Sequence, residues 1–273
     1  MSNWISLFLY SKQTRPPAEL AEWLNGFLSD HQFTVYDAFG IIPGPSYPHT
    51  LKIFIIELND HWQRLAIETS DITLVTQLAA ALSSLGMVVQ TAVFGEDEDD
   101  ALPAIALYQE GASVDLAQLA SLIEGAESIT AEMIKAGARK MPDFEADKTI
   151  GGIATSQLPG EIQEQAKGTN SWLANALFNK VSRSVMGGED TDNPWLQVEE
   201  LWNSGAGKQI RYVMEALKLD SWREPDFTTI RHAYGLHKRR SRKPDAPLLP
   251  GDQTTLDAVP NALDMTPVYG GKR

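Results

Sequence analysis

Residues 51–69 read LKIFIIELNDHWQRLAIET, and this stretch decides the fold class. Leu51–Leu58 and Trp62–Thr69 are apolar runs of strand length, and Asn59-Asp60 between them is a typical turn signal. The pattern therefore predicts a β-hairpin. A hairpin joins antiparallel strands directly, whereas a doubly wound parallel sheet joins its strands through helices. We therefore expect an α+β protein.

The flanking sequence extends this hairpin into a mixed sheet with helices. Helical spacing of large apolar residues follows Pro16-Pro17 and again Asp71, a residue type that often caps a helix N-terminus. The predicted order of elements is β-α-β-β-β-α-β-β-α. Four further runs have strand character: Trp4–Ser11, Phe33–Phe39, Met87–Phe94 and Ala104–Gln109.

The second half of the chain has a different pattern. Residues 141–160 are rich in Gly and Pro and poor in large apolar residues, which is typical of a linker. Beyond them the periodicity is helical, with a helix expected after Ser204 and another from Pro225-Asp226. We therefore expect four parts along the chain. They are an acidic α+β domain (1–140), a linker (141–160), an all-helical domain (161–240) and an irregular, Pro-containing tail or arm (241–273).

Composition excludes several classes of protein. The chain has 273 residues, of which 43% are hydrophobic, so wholesale disorder is excluded. It contains no cysteine, which excludes a disulfide framework, a thiolate zinc site, an iron–sulfur cluster and a cysteine nucleophile. No secretory signal opens the chain and no apolar run approaches ~18 residues. We expect a cytoplasmic protein with no membrane partner, metal or cofactor.

Charge is distributed unevenly along the chain. The net charge is −13, and residues 1–150 hold 21 of the 36 acids but 8 of the 23 Lys and Arg. The basic segment Arg231–Lys243, in contrast, has six cations and no acid. Such a segment can be a solvated helix end, a docking surface for an acidic protein or another copy of the chain, or a set of phosphate contacts to nucleic acid. Its candidate partner-binding residues are Arg231, Lys238, Arg239, Arg240, Arg242 and Lys243.

An acidic run lies between two of the predicted strands. Consecutive carboxylates in such a loop usually face water, and the alternatives are a hard-cation site or a docking patch for a basic partner. The spacing of a calcium-binding EF-hand loop is missing. The run consists of Glu96, Asp97, Glu98, Asp99 and Asp100.

Catalytic motifs are not complete anywhere in the sequence. Ser204–Gln209 resembles a phosphate-binding loop around Gly207-Lys208, but Trp202 replaces the first glycine and Gln209 the Ser or Thr that reaches magnesium. The five histidines form no H-E-x-x-H pair, and no G-x-S-x-G elbow occurs.

Charge and patterning together favour a non-enzymatic function. We expect a protein-interaction or assembly subunit, an adaptor, whose partner is another protein or a further copy of itself. The first alternative is a nucleic-acid-binding protein that uses residues 231–243. The second is an enzyme whose site is assembled from residues scattered along the sequence.

Overall fold

The computed structural model describes most of the chain outside residues 155–200. The described residues are 4–37, 47–93, 102–123, 129–144, 149–150, 153–154, 201–219, 227–249 and 251–273. The strands are β1 (Trp4–Tyr10), β2 (Thr34–Val35), β3 (His49–Glu57), β4 (Trp62–Thr69), β5 (Met87–Val93), β6 (Ile105–Gln109), β7 (Ala112–Val114), β8 (Thr149–Ile150), β9 (Ile153–Ala154) and β10 (Thr266–Lys272). The α-helices are α1 (Pro17–Asp30), α2 (Ile72–Leu82), α3 (Ala131–Ala138), α4 (Gly205–Ala216), α5 (Phe227–Arg242) and α6 (Asp252–Ala258). Short 3-10 helices span Leu116–Leu122 and Ala262–Asp264.

One antiparallel sheet of eight strands organises these elements. Its strand order is β2-β10-β3-β4-β1-β5-β6-β7. The predicted hairpin is confirmed: β3 pairs with β4 from Leu51 opposite Thr69 to Glu57 opposite Gln63. The Asn59 carboxamide oxygen closes the turn by accepting hydrogen bonds from the backbone N–H groups of His61 and Trp62, at 3.0 and 3.1 Å. Side-chain capping of this kind is why Asn is favoured in turns. The α+β prediction is therefore confirmed.

The last strand of the chain lies inside this sheet. β10 pairs with β3 along its whole length and with β2 through Gly270 and Gly271. An irregular tail was expected over 241–273, and the structure instead has α6 and β10 there. The sequence does not predict this strand, because Pro267 and the two glycines are residue types that are uncommon inside strands. The glycines are needed because a Cβ on Gly271 would overlap the Tyr47 ring and one on Gly270 would come 2.8 Å from Leu28.

One face of the sheet packs against α1 and α2. Leu24 and Leu28 of α1 and Leu78 and Leu82 of α2 are fully buried in this core, together with alternate residues of the strands. The predicted cap of α2 is confirmed, since the Asp71 carboxylate accepts a hydrogen bond from a first-turn N–H at 3.3 Å. The helix therefore starts where the sequence predicts.

The other face is covered by helices from the second half of the chain. α5 packs on β3 and β4, while α4 contacts β5 and packs against α3. Ser204 caps α4 as predicted, its hydroxyl accepting from the Gly207 N–H at 3.0 Å. The glycine-lysine pair therefore belongs to a capped helix start, as the incomplete phosphate-loop motif indicates.

The residues divide into two compact units. Met1–Pro142 and Ser204–Arg273 form one unit, and Asp143–Asn203 form the other. In the second unit, the Asn203 side chain pairs with both backbone groups of Phe144, at 2.6 and 2.9 Å. This grouping differs from the division expected at 140 and 160, because the strands of the first half share their sheet with β10. The division at residues 140 and 160 stays a prediction.

Candidate functional site

Helix α5 carries most of the basic segment and is fixed to the sheet along one side. Its buried residues are Phe227, Ile230, Ala233 and Leu236, which recur at helical spacing. The Phe54 ring of β3 lies 5.2 Å from the ring of Phe227, centroid to centroid. The opposite side of the helix faces solvent, so the cations project from a rigid element.

The cations of the basic segment differ in their exposure. Arg242 and Lys243 are exposed and Arg240 is half-buried. Arg240 and Arg242 lie in the last turn of α5, where positive charge complements the helix dipole. Lys238 is different, since its ammonium lies 5.6 Å from the Tyr234 ring centroid, within range of a cation–π contact. The last cations of the segment, Arg242 and Lys243, are therefore exposed, while Lys238 has an intramolecular partner.

The buried residue Asp252 contacts two cationic or basic side chains of α5, those of Arg239 and His232. This first residue of α6 has only 5% of its side chain exposed. One carboxylate oxygen lies 3.3 Å from Nη2 of Arg239 and accepts the Leu249 N–H at 2.9 Å, and the other lies 3.4 Å from Nε2 of His232. A buried carboxylate requires such partners to offset its lost hydration. Asp252 therefore holds the Arg239 and His232 side chains in place.

A shallow groove follows one stripe of α5. It has a volume of about 420 Å³, and Gly235, which has no side chain, lies at its middle. The lining residues stand at positions i, i+3, i+4, i+7, i+8 and i+11 of the helix, so they share one face. They are Thr228, Arg231, His232, Gly235, Leu236 and Arg239. We call this feature the α5 groove.

Tyrosines and an ion pair border the groove beside Arg231. Nη1 of Arg231 lies 3.9 Å from Oε1 of Glu68, which also pairs with Lys52. The Tyr36 ring stacks near Tyr269, with centroids 6.3 Å apart. Burial raises the pKa of the Tyr269 hydroxyl far above its ordinary value, and the nearby Arg231 charge only partly opposes this. The phenol therefore stays neutral and contributes packing surface rather than charge.

The pKa values of two more tyrosines at this border move in the same direction. Burial raises the pKa of Tyr36, with a smaller contribution from Tyr47, and burial also raises that of Tyr234, with a contribution from Asp37. Tyr36 and Tyr47 rings lie 5.7 Å apart. The Tyr36 and Tyr234 phenols therefore stay neutral, like that of Tyr269.

A second cleft opens at the end of the sheet. It has a volume of about 530 Å³ and is lined by the end of β1, the start of β5 and the end of β6. Lys12 is the one charged residue among its lining residues, beside Tyr10, Gln109 and Ser121. None of the described lining residues is a carboxylate or an imidazole.

The groove contains a hydroxyl and an imidazole, the two groups of a nucleophile and its base. Thr228 lies one turn before His232, and His232 pairs with Asp252. In the part of the chain that the structure describes, however, no hydrogen bond joins the Thr228 hydroxyl to the imidazole. A hydroxyl nucleophile requires that contact for its activation. Arg231 and Arg239 provide the α5 groove with guanidinium groups, which recognise carboxylate or phosphate groups.

The sequence-predicted site residues are only partly brought together. Arg231 and Arg239 line the α5 groove, whereas Arg240, Arg242 and Lys243 continue beyond it. The acidic run 96–100 lies outside the described residues.

Sequence reasoning missed His232, Gly235 and Asp252. The sequence does contain a signal for His232 and Gly235, because both share one helical stripe with Thr228, Arg231 and Arg239. Nothing in the sequence indicates that Asp252, thirteen residues beyond Arg239, returns to the same place.

Comparisons with known proteins add no relative. No protein-family model, curated protein or solved structure matches the chain. Within the described ranges, no helix is long and apolar enough to cross a membrane. The same residues contain no cluster of three or more His, Asp or Glu side chains that would hold a metal ion.

Proposed function

We propose that this chain is a protein-interaction or assembly subunit that docks an acidic protein surface on the basic segment of α5. One observation carries the proposal: the apolar side of α5 is buried on the sheet, so the cations of the segment are held on a rigid, outward-facing surface. A fixed surface loses little conformational entropy on binding, in contrast to a flexible basic tail.

The positive charge of α5 indicates what kind of partner it binds. The described part of α5 contains no acid, within a chain whose net charge is −13. A local positive surface on an acidic protein attracts an acidic partner and orients it during encounter. The overall negative charge opposes a long phosphate backbone. The groove is lined by Arg231 and Arg239, and arginine is one of the residue types that dominate protein–protein hot spots. A protein partner is therefore favoured over nucleic acid.

The test replaces the cations that lie beyond the α5 groove and leaves Lys238 and Arg239 in place. Arg240, Arg242 and Lys243 are replaced together with Gln, because Arg239 and Lys238 have intramolecular partners. Binding of the full chain to poly-L-glutamate is measured at low salt by light scattering or biolayer interferometry. We expect the triple variant to lose most of the binding and to keep its melting temperature, since exposed substitutions usually change stability by less than about 0.5 kcal/mol.

The chain offers a matched control for that variant. Lys135, Arg139 and Lys140 are exposed cations at the end of α3, and their replacement with Gln changes the net charge equally. Equal losses from both triple variants would mean that only total charge matters, and the proposed docking surface would be wrong. Retardation of duplex DNA by the unmodified chain, with log affinity falling linearly with log salt, would favour the nucleic-acid alternative.

A further inference from the structure

We propose that the α5 groove binds an extended acidic segment of a partner protein that carries two carboxylates four residues apart. This inference rests on the proposed function and specifies the form of the partner. Its basis is the placement of Arg231 and Arg239 at the two ends of one groove, with Gly235 between them.

The spacing of the two arginines sets the spacing of the ligand charges. Arg231 and Arg239 are eight residues apart on one helix, which places them about 12 Å apart along its axis at ~1.5 Å per residue. An extended segment rises ~3.3 Å per residue, so residues i and i+4 are about 13 Å apart. Side chains at even spacing point to the same side of an extended segment. Two acids four residues apart therefore reach both arginines from one face of the segment.

Both arginines keep hydrogen-bonding capacity for such a ligand. Their side chains are 46% and 45% exposed, for Arg231 and Arg239 respectively. Arg231 lies 3.9 Å from Glu68, which is longer than a hydrogen bond. Arg239 uses Nη2 for Asp252 and for the Pro247 carbonyl, both at 3.3 Å. A guanidinium has five N–H donors, so neither contact exhausts it.

The rest of the groove suits a main chain lying along it. Gly235 leaves the centre without a side chain, so a backbone can approach the helix closely there. Asp252 fixes the positions of Arg239 and His232 before any ligand arrives, which lowers the entropic cost of binding. The groove is thus organised at one end by a buried carboxylate and open at its middle.

The carboxylates of Glu68 and Asp252 disfavour a ligand whose negative charges are closely spaced. Glu68 lies beside Arg231 and Asp252 beside Arg239, so a negative charge must reach each arginine without approaching these acids. Two separated carboxylates meet this requirement. A nucleic acid strand places a charge on every nucleotide and would bring additional phosphates close to both acids. The groove therefore selects a peptide with spaced acids over a polyphosphate chain.

The test uses the full chain and labelled nine-residue peptides of Gly and Ser. One peptide has Asp at positions 3 and 7, a second has Asp at 3 and 4, and a third has Asn at 3 and 7. Fluorescence anisotropy at an ionic strength of about 0.01 M keeps screening weak. We expect the peptide with Asp at 3 and 7 to bind most tightly, and the Asn peptide to show no binding.

Two variants and a matched control locate the binding on the groove. Arg231→Gln should weaken the 3,7 peptide about fivefold, the factor that corresponds to one well-placed ion pair. Arg139→Gln removes an equal charge from an exposed arginine at the end of α3 and should leave the affinity within about twofold. Gly235→Leu fills the groove without a charge change and should abolish peptide binding. Circular dichroism and melting temperature confirm that each variant is folded.

The outcomes separate this inference from the proposed function. Equal affinity for the two Asp peptides, or no greater loss from Arg231→Gln than from Arg139→Gln, would overturn the groove. Charge-driven docking on α5 is judged separately, by the triple variants with poly-L-glutamate. Tighter binding of single-stranded DNA of the same charge would also overturn it. If neither the Asp peptides nor poly-L-glutamate bind the unmodified chain, both proposals fail.

Discussion

Replacing Gln90 with methionine should make the protein more stable. Gln90 is in the middle of β5, where it pairs with Leu7 of β1 on one side and Ala106 of β6 on the other. Its side chain is fully buried on the sheet face covered by α1 and α2, and among the described residues neither polar atom of its carboxamide has a hydrogen-bond partner. A buried polar group in this condition costs about 1–3 kcal/mol in proteins. Methionine has a similar length and no such group.

The size of the gain follows from that cost. A volume-conserving swap in a packed core loses less than about 1.5 kcal/mol through imperfect repacking. The net expectation for Gln90→Met is a gain of about 1 kcal/mol, which raises the melting temperature by roughly 2–4 °C in a protein of this size. Urea denaturation should show a higher midpoint with an unchanged slope.

Gln63 provides the matched comparison. It is equally buried on the same face of the sheet, but its Nε2 donates to the Arg15 carbonyl at 2.8 Å. Gln63→Met removes this hydrogen bond and should therefore gain about 1 kcal/mol less than Gln90→Met. If Gln90→Met is less stable than the unmodified protein, a buried water holds its carboxamide and the reasoning fails.

Two further predictions concern the sheet and the helices on it. Leu78→Ala in α2 should destabilise by about 2–5 kcal/mol because Leu78 is fully buried, whereas Gln77→Ala should cost less than about 0.5 kcal/mol because Gln77 is exposed; equal midpoints in chemical denaturation would contradict the assigned face. A fragment of residues 1–140 should lack a cooperative thermal transition, because it omits β10 and α5 and leaves one side of β3 unpaired. A sharp melt of that fragment by circular dichroism would support the sequence-based boundary instead.

The local elements of this fold could be predicted from sequence, whereas one long-range pairing could not. The hairpin around Asn59 and the helices capped by Asp71 and Ser204 depend on short-range signals, and each is present in the structure. β10 has Pro267 and Gly270-Gly271, which usually indicate turns. Those glycines are required by the side chains that pack over them, and such packing is set by residues more than 200 positions earlier in the chain.

The basic segment shows the same limit at the candidate site. In the sequence, Arg239, Arg240 and Arg242 are three similar cations at a helix end. In the structure, Arg239 is bound to Asp252 at the start of α6, while Arg242 is exposed. The distinction arises because the chain folds back after α5 before it enters β10, and that return places a buried carboxylate beside one arginine and not beside the other. A substitution that removes the whole segment therefore mixes loss of structure with loss of docking. Replacing the exposed cations and the groove residues in separate variants distinguishes loss of structure from loss of docking. The α5 groove is therefore a more specific hypothesis about function than the total charge of the segment.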